Sequence, residues 1–225
     1  MLLTSCLFNT KMIGAMTQII ITRHGETEWN VNEIFRGRRN VELNEMGIKQ
    51  AELLGNYLID LRIEGVYSSP LKRALDTARY VAKHHGLDVN VDCGLVDFNY
   101  GAWEGLTHQE VRDKYRGLYE QWLKEPHLVK MPGGESLDQV RERARSVVDR
   151  VVSKHSETVV LVSHRVVNKV LICSMLGLDN SHFWDIKQDV GGITVFEYEG
   201  GHFKLVKHND TSYFRQIQQH MLSDF

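Results

Sequence analysis

The chain has 225 residues, 42% of them hydrophobic and 25% charged, with a formal net charge of -2. That profile fits a soluble globular protein with a core of its own, and its near-neutral balance excludes a general nucleic-acid or membrane-surface binder. The three cysteines, Cys6, Cys93 and Cys173, are scattered without a C-x-x-C pair, which favours a reducing, cytoplasmic setting over a disulfide framework or a zinc site.

Residues 1–16 open on an apolar stretch broken by Thr4, Ser5, Asn9 and Lys11. They lack the basic n-region of a signal peptide and read as a disordered extension or as the product of an upstream start codon. One domain is expected over 17–225, since no linker interrupts it. Residues 18–22 (QIIIT) read as a buried strand. Ile48, Ala51, Leu54, Leu58 and Leu61 recur at helical spacing behind an N-cap at Asn44. Val66 and Tyr67 form a short strand, after which Ser69-Pro70 reads as an N-cap with proline at the first helical position, opening a helix through Leu71, Ala74, Ala78 and Val81.

Val89 and Val91 alternate as a strand. Thr107 and Glu110 have capping-box spacing before a helix facing inward through Val111, Tyr115, Leu118 and Trp122, and Ser136 with Gln139 repeats the device before a second. Residues 158–163 (TVVLVS) carry the strongest strand signal. A helix follows from about Val166 to Leu176 and stops at Gly177. Residues 193–198 and 203–206 flank Gly200-Gly201 as a hairpin. Strands alternating with helices predict an α/β fold: a three-layer αβα sandwich on a mostly parallel sheet, with the hairpin at its edge. No run is apolar and long enough to cross a bilayer.

The sharpest local feature is Arg23-His24-Gly25-Glu26-Thr27, directly after a strand. The strand at 158–163 ends likewise in Ser163-His164-Arg165, and Arg73 follows a third strand. Ligands of open α/β sheets gather at the carboxyl ends of the strands. Imidazoles and guanidiniums converging there suit a tetrahedral dianion: arginine brings forked, permanently charged donors, and histidine brings either a nucleophile or a further donor.

Residues 23–30 (RHGETEWN) match without a mismatch the R-H-G-E-[ST]-x-W-N signature of the histidine phosphatase superfamily, also called phosphoglycerate mutase-like. The chain resembles that family further through Phe35-Arg36-Gly37, LNEMG at 43–47, SSPLKRA around Arg73, YGAWEG at 100–105, PGGES at 132–136 and Asn209-Asp210-Thr211-Ser212. The resemblance implies a metal-independent phosphomonoesterase without cofactors, acting on a small phosphorylated metabolite through a phosphohistidine on His24. It also implies that Arg23, Arg73 and His164 hold the phosphoryl oxygens, and that Thr27, Asn30, Arg36 and Gly37 complete the binding rim. The leaving-group acid maps to Asp97, where much of the family has glutamate; Glu104 is the substitute.

Three arginines depart from the family pattern. Arg165 stands where glycine is common, Arg38 where an aromatic residue is usual, and Arg36 where glutamine or threonine is frequent. Arg165 also opens a helix, where the macrodipole disfavours a cation, so a second substrate anion is expected near Arg165 and Arg38. His24 and His164 share no helix face or short ligand spacing, so no catalytic metal is expected. A phosphoglycerate mutase is the alternative within the fold. Family mutases carry a longer insertion than the 67 positions that separate Asp97 from His164 here, an interval filled by two predicted helices. A catalytically silent phosphate-binding or scaffolding module is the alternative from another class. The sequence fixes neither the substrate nor the oligomeric state.

Overall fold

In the computed structural model, residues 16–217 are described. The strands are β1 (Thr17–Arg23), β2 (Ile63–Ser68), β3 (Val89–Val91), β4 (Thr158–Ser163), β5 (Ile193–Glu199) and β6 (His202–Asp210), and they form one sheet in the order β3-β2-β4-β1-β5-β6. β3, β2, β4 and β1 pair in parallel; β5 pairs antiparallel with β1, and β6 antiparallel with β5. The uninterrupted apolar runs of β1 and β4 follow from this order, because a central parallel strand is covered on both faces.

The helices are α1 (Glu28–Val31), α2 (Glu45–Tyr57), α3 (Lys72–Ala82), α4 (His108–Lys114), α5 (Arg116–Lys124), α6 (Leu137–Lys154) and α7 (Arg165–Met175). Leu54 of α2 and Ala74, Ala78 and Val81 of α3 pack with Ile20, Val160 and Val162. Alternate strand residues, Ile19, Ile21, Val159 and Leu161, face the other way and pack with Val140 and Val147 of α6 and Val167 and Val170 of α7. The period-2 alternation of strand side chains thus builds two cores and the expected three layers. The second core continues into an aromatic group, in which Phe35 meets Trp103 and Trp122 meets both Phe98 and Phe183. This group anchors the loops that carry the site.

The caps form where the sequence places them. Asn44 accepts from the amide of Gly47, and Thr107/Glu110 and Ser136/Gln139 close reciprocal capping boxes. Three details differ from expectation. The single helix through Tyr115 is two helices, because Tyr115 leaves helical geometry (φ -130, ψ 37) and Gly117 lies in the weakened first turn of α5. Three helices, not two, therefore fill the interval between Asp97 and His164. α2 ends before Leu61, and Ile48 and Leu61 lie exposed; Gly47, Gln50, Ala51 and Leu54 form the inner face instead. Finally, α3 starts at Lys72 with Leu71 as its N-cap, whose apolar side chain cannot accept a bond, while Ser69 Oγ accepts the Leu71 amide at 3.2 Å from outside the helix. The expected extension at 1–16 lies, apart from Met16, outside the described residues. Among those residues no helix is long and apolar enough to cross a membrane.

Candidate active site

β1 and β4 are parallel neighbours with Arg23 opposite Ser163, and the His24 amide donates to the Ser163 carbonyl at 3.1 Å. The two histidines therefore leave adjacent strand ends, with ring centroids 5.2 Å apart. β2 flanks β4 on its other side. Its continuation is held by the Ser69 amide on the Val162 carbonyl, and it delivers Arg73 in the first turn of α3. Asp97 follows the short helix Cys93–Leu95, where Ser163 Oγ donates to the Leu95 carbonyl. His24, Arg73, Asp97 and His164 are each at most 5% exposed.

His24 is held at both nitrogens. Nδ1 lies 2.6 Å from the Gly25 carbonyl, which can only accept, and Nε2 lies 3.2 Å from Nε of Arg73, which can only donate. Both partners demand one tautomer, with the proton on Nδ1 and the lone pair on Nε2. Burial, then the charge of Arg73, then His164, Arg23 and Arg36, hold the imidazole well below its ordinary pKa of 6.5. The ring is therefore neutral at neutral pH, with the Nε2 lone pair directed at the Arg73 guanidinium.

Arg73 is fully buried and donates from every nitrogen. Besides His24 it reaches the carbonyls of Arg39 and Gly37 and Oδ2 of Asp97, each at 2.8 Å. Gly37 has φ +50, and a side chain there would run into the Glu104 carboxylate, so only glycine lets this carbonyl face Arg73. Glu104 accepts the Arg38 amide at 2.9 Å and supports this loop from beneath. Asp97 Oδ1 accepts its own neighbour's amide, Phe98, at 2.8 Å, leaving Oδ2 to Arg73 and, at 3.5 Å, to His164 Nδ1. His164 Nε2 lies 2.7 Å from Ser69 Oγ. Burial and the charges of Arg73, Arg36, Arg143 and Arg23 likewise hold His164 well below 6.5.

The sequence model of the histidine phosphatase superfamily, branch 1, matches residues 19–211. The chain belongs to that superfamily. It is 36% identical over 203 residues to phosphoserine phosphatase 1 of Hydrogenobacter thermophilus, covering 90% of this chain and 96% of that protein. The solved structure of YhfR from Bacillus stearothermophilus matches with a TM-score of 0.84 at 33% identity, covering 88% of this chain and 98% of that one. A mutant phosphoserine phosphatase from Entamoeba histolytica, solved with phosphoserine, matches with a TM-score of 0.79 at 30% identity, covering 88% and 99%. The protein is a phosphoric monoester hydrolase of the histidine phosphatase type.

The rim of this histidine phosphatase divides into groups that face the pocket and groups that build it. Thr27 and Asn30 bond one another: Asn30 Oδ1 accepts from both the amide and the hydroxyl of Thr27, closing the loop after His24. Arg23 donates from Nη1 to the Gln188 carbonyl at 2.9 Å, and Arg36 from Nη1 to the Trp29 carbonyl at 3.1 Å. Burial and the neighbouring charges of Arg23 and Arg73 weigh against the Arg36 cation, and Asp97 relieves it in part. Arg23, Arg36 and Arg73 thus crowd the two buried histidines, a field suited to a dianion.

At the mouth, Arg165 lies over the Trp184 ring at 5.5 Å. His108, which the sequence reading passed over, stacks on Phe35 at 4.3 Å. Burial and the charges of Arg165, Arg36 and Arg112 push it down to about 4. A neutral histidine ringed by arginines marks a second cationic zone, to which Arg112 belongs and Arg38 does not. Arg38 reaches away instead, to Oε1 of Glu135 at 2.9 Å. The only cue to His108 in the sequence was its place at the start of a helix capped by Thr107. Among the described residues no three of His, Cys, Asp and Glu gather as a metal site.

Proposed function

We propose that this phosphatase hydrolyses small carboxylated phosphomonoesters of the phosphoserine and phosphoglycerate class through a phosphohistidine on Nε2 of His24. The observation that carries the chemistry is the single tautomer imposed on His24 by the Gly25 carbonyl and the Arg73 N–H. In the first step the Nε2 lone pair attacks phosphorus, the ester P–O bond breaks, and the leaving oxygen takes a proton from the Asp97 carboxyl. In the second, water attacks the phosphohistidine and gives its proton to Asp97, the P–N bond breaks, and inorganic phosphate leaves. The Gly25 carbonyl stabilises the positive charge that the imidazole carries between the two steps.

Arg23, Arg36, Arg73 and His164 hold the phosphoryl oxygens and spread the charge of the transferring group. A dianion beside Arg73 takes over the guanidinium donor that Asp97 holds in the free enzyme. The carboxylate of the substrate is read by the outer zone of Arg165 and Arg112. Relatives support that choice: the Hydrogenobacter and Entamoeba proteins are phosphoserine phosphatases, and the latter is also known with 3-phosphoglyceric acid.

The test is a rapid acid or base quench during turnover of 32P-labelled phosphoserine. Wild type should yield a base-stable, acid-labile phosphoprotein, and His24→Ala should yield none and lose turnover. Label passed to the hydroxyl of 3-phosphoglycerate rather than to water would return the mutase reading. Binding without turnover in wild type would return the silent module.

A further inference from the structure

Arg143, on α6, uses all five of its N–H donors. Nε and Nη2 fork onto Oε1 and Oε2 of Glu135 at 3.0 and 3.1 Å. Nη1 reaches the carbonyls of Gly94 and Val96 at 2.8 and 2.7 Å, and Nη2 also reaches the carbonyl of Asp97 at 3.3 Å. Glu135 Oε2 in turn accepts the Asn99 amide at 2.9 Å. The pair therefore grips the backbone on both sides of Asp97 while touching none of the groups that face the phosphoryl pocket. Arg38 adds a link from the same carboxylate to the loop that receives Arg73.

We propose that Glu135 and Arg143 form a positioning clamp that sets the reach of Asp97; this rests on the reading of Asp97 as the acid. The physical need comes from the side chain. Aspartate is one methylene shorter than the glutamate common at this position, so its carboxyl has little freedom to make up for a displaced backbone. With Oδ1 tied to the Phe98 amide, how far Oδ2 reaches toward Arg73 depends on where the main chain lies. Gly94 fits the same design. A side chain there would meet Val147 of α6, so glycine lets the acid-bearing segment approach α6 closely enough for Arg143 to hold its carbonyls. A bidentate, fully used guanidinium is the group for that task, and lysine cannot reproduce the fork.

The experiment compares Asp97→Asn, Glu135→Gln, Arg143→Lys and the double variant Glu135→Gln/Asp97→Glu on two substrates. One is phosphoserine, whose alkoxide must be protonated to leave; the other is p-nitrophenyl phosphate, whose phenolate need not be. A misplaced catalytic group costs up to about a hundredfold. The clamp predicts that Glu135→Gln and Arg143→Lys lower kcat for phosphoserine about tenfold or more, with KM nearly unchanged and less than about threefold loss on p-nitrophenyl phosphate. It further predicts that Asp97→Glu, by restoring reach, recovers part of the phosphoserine rate in the Glu135→Gln background. Equal losses on both substrates, or no recovery in the double variant, overturn the clamp. Asp97→Asn separates the two readings. If it slows both substrates alike, the acid assignment falls and the clamp with it. If it is selective while the clamp variants are not, the clamp alone falls. Should Arg143→Lys fail to fold, Glu135→Gln and its rescue decide the matter.

Discussion

Ser69 Oγ lies 2.7 Å from Nε2 of His164, and the same oxygen accepts the amide of Leu71 at 3.2 Å. On the far side of the ring, Nδ1 faces Oδ2 of Asp97 at 3.5 Å. A carboxylate there calls for the proton on Nδ1, leaving Nε2 to accept the Ser69 hydroxyl. Ser69 thus supports this tautomer by donating into Nε2 and holds the ring with Nδ1 toward Asp97. Ser69→Ala should free the ring and lower kcat/KM roughly three- to tenfold, the range for one neutral hydrogen bond. Nitrogen-15 spectra of the histidines should then show His164 moving from one tautomer to a mixture. An unchanged spectrum would remove Ser69 from this role.

Acid should destabilise the fold well above the carboxylate range. His24 and His164 are held far below 6.5 in the native state by burial and guanidinium charge, and His108 is pushed down to about 4 by burial and by Arg165, Arg36 and Arg112. Unfolded histidines titrate near 6.5. Stability is therefore full above about 6.5 and falls as the pH drops, because only the unfolded chain takes up protons. Each such histidine adds a slope of about 1.4 kcal/mol per pH unit. Urea midpoints at several pH values between about 7.5 and 5 will check this; a flat or rising stability across that window would contradict it.

Inorganic phosphate should stabilise the protein beyond its ionic strength. Arg23 and Arg73 act against the Arg36 cation beside them, and a dianion relieves that repulsion. At a concentration about 100 times Kd the gain is about 2.7 kcal/mol, or roughly 5–11 °C in Tm for a chain of this size. Arg36→Met should reduce the shift. Equal shifts in phosphate and in sodium chloride of matched ionic strength would show that no dianion site is formed.

Arg165 and Arg38, the two arginines at which a second substrate anion was expected, should behave differently. Arg165→Ala should raise KM selectively for phosphoserine and 3-phosphoglycerate, by about ten- to a hundredfold for a charge-assisted contact of roughly 1.5–3 kcal/mol. Plain alkyl phosphates should change little. Arg38→Ala, which loses an ion pair to Glu135 rather than a substrate contact, should change both substrate types by the same factor. A carboxylate-selective loss in Arg38→Ala would reverse this assignment.

Most of the fold was legible because its signals are local. The apolar run at 158–163, caps at Asn44, Thr107 and Ser136, and the Gly200-Gly201 turn each depend on a few adjacent residues, and each formed. His24, Arg73 and His164 could be assembled on paper because strand ends of a parallel sheet share one edge. What escaped were side chains whose roles depend on distant partners. Ser69 looked like a helix cap because its true partner, His164, is 95 positions away. Arg38 looked like a ligand for substrate because nothing nearby in sequence announces Glu135, 97 positions on. Arg143 had no signal at all beyond being polar on a helix.

The sheet order also determines when the site can exist. β1 lies between β4 and β5, so the strand that carries His24 has no hydrogen-bonding neighbour before residue 158. β4 must then enter between β2 and β1, closing pairings such as Gln18 with Thr158 across most of the chain. Loop closure on that scale precedes any reward from the contacts it makes, which slows folding and leaves apolar strands bare meanwhile. As the chain emerges from the ribosome, residues 19–21 must wait for the last third of the protein. A chain interrupted before β4 would hold the complete RHGETEWN segment and still have no pocket, and its unpaired β1 would invite aggregation. Activity and the central sheet should therefore appear together, late, as one event.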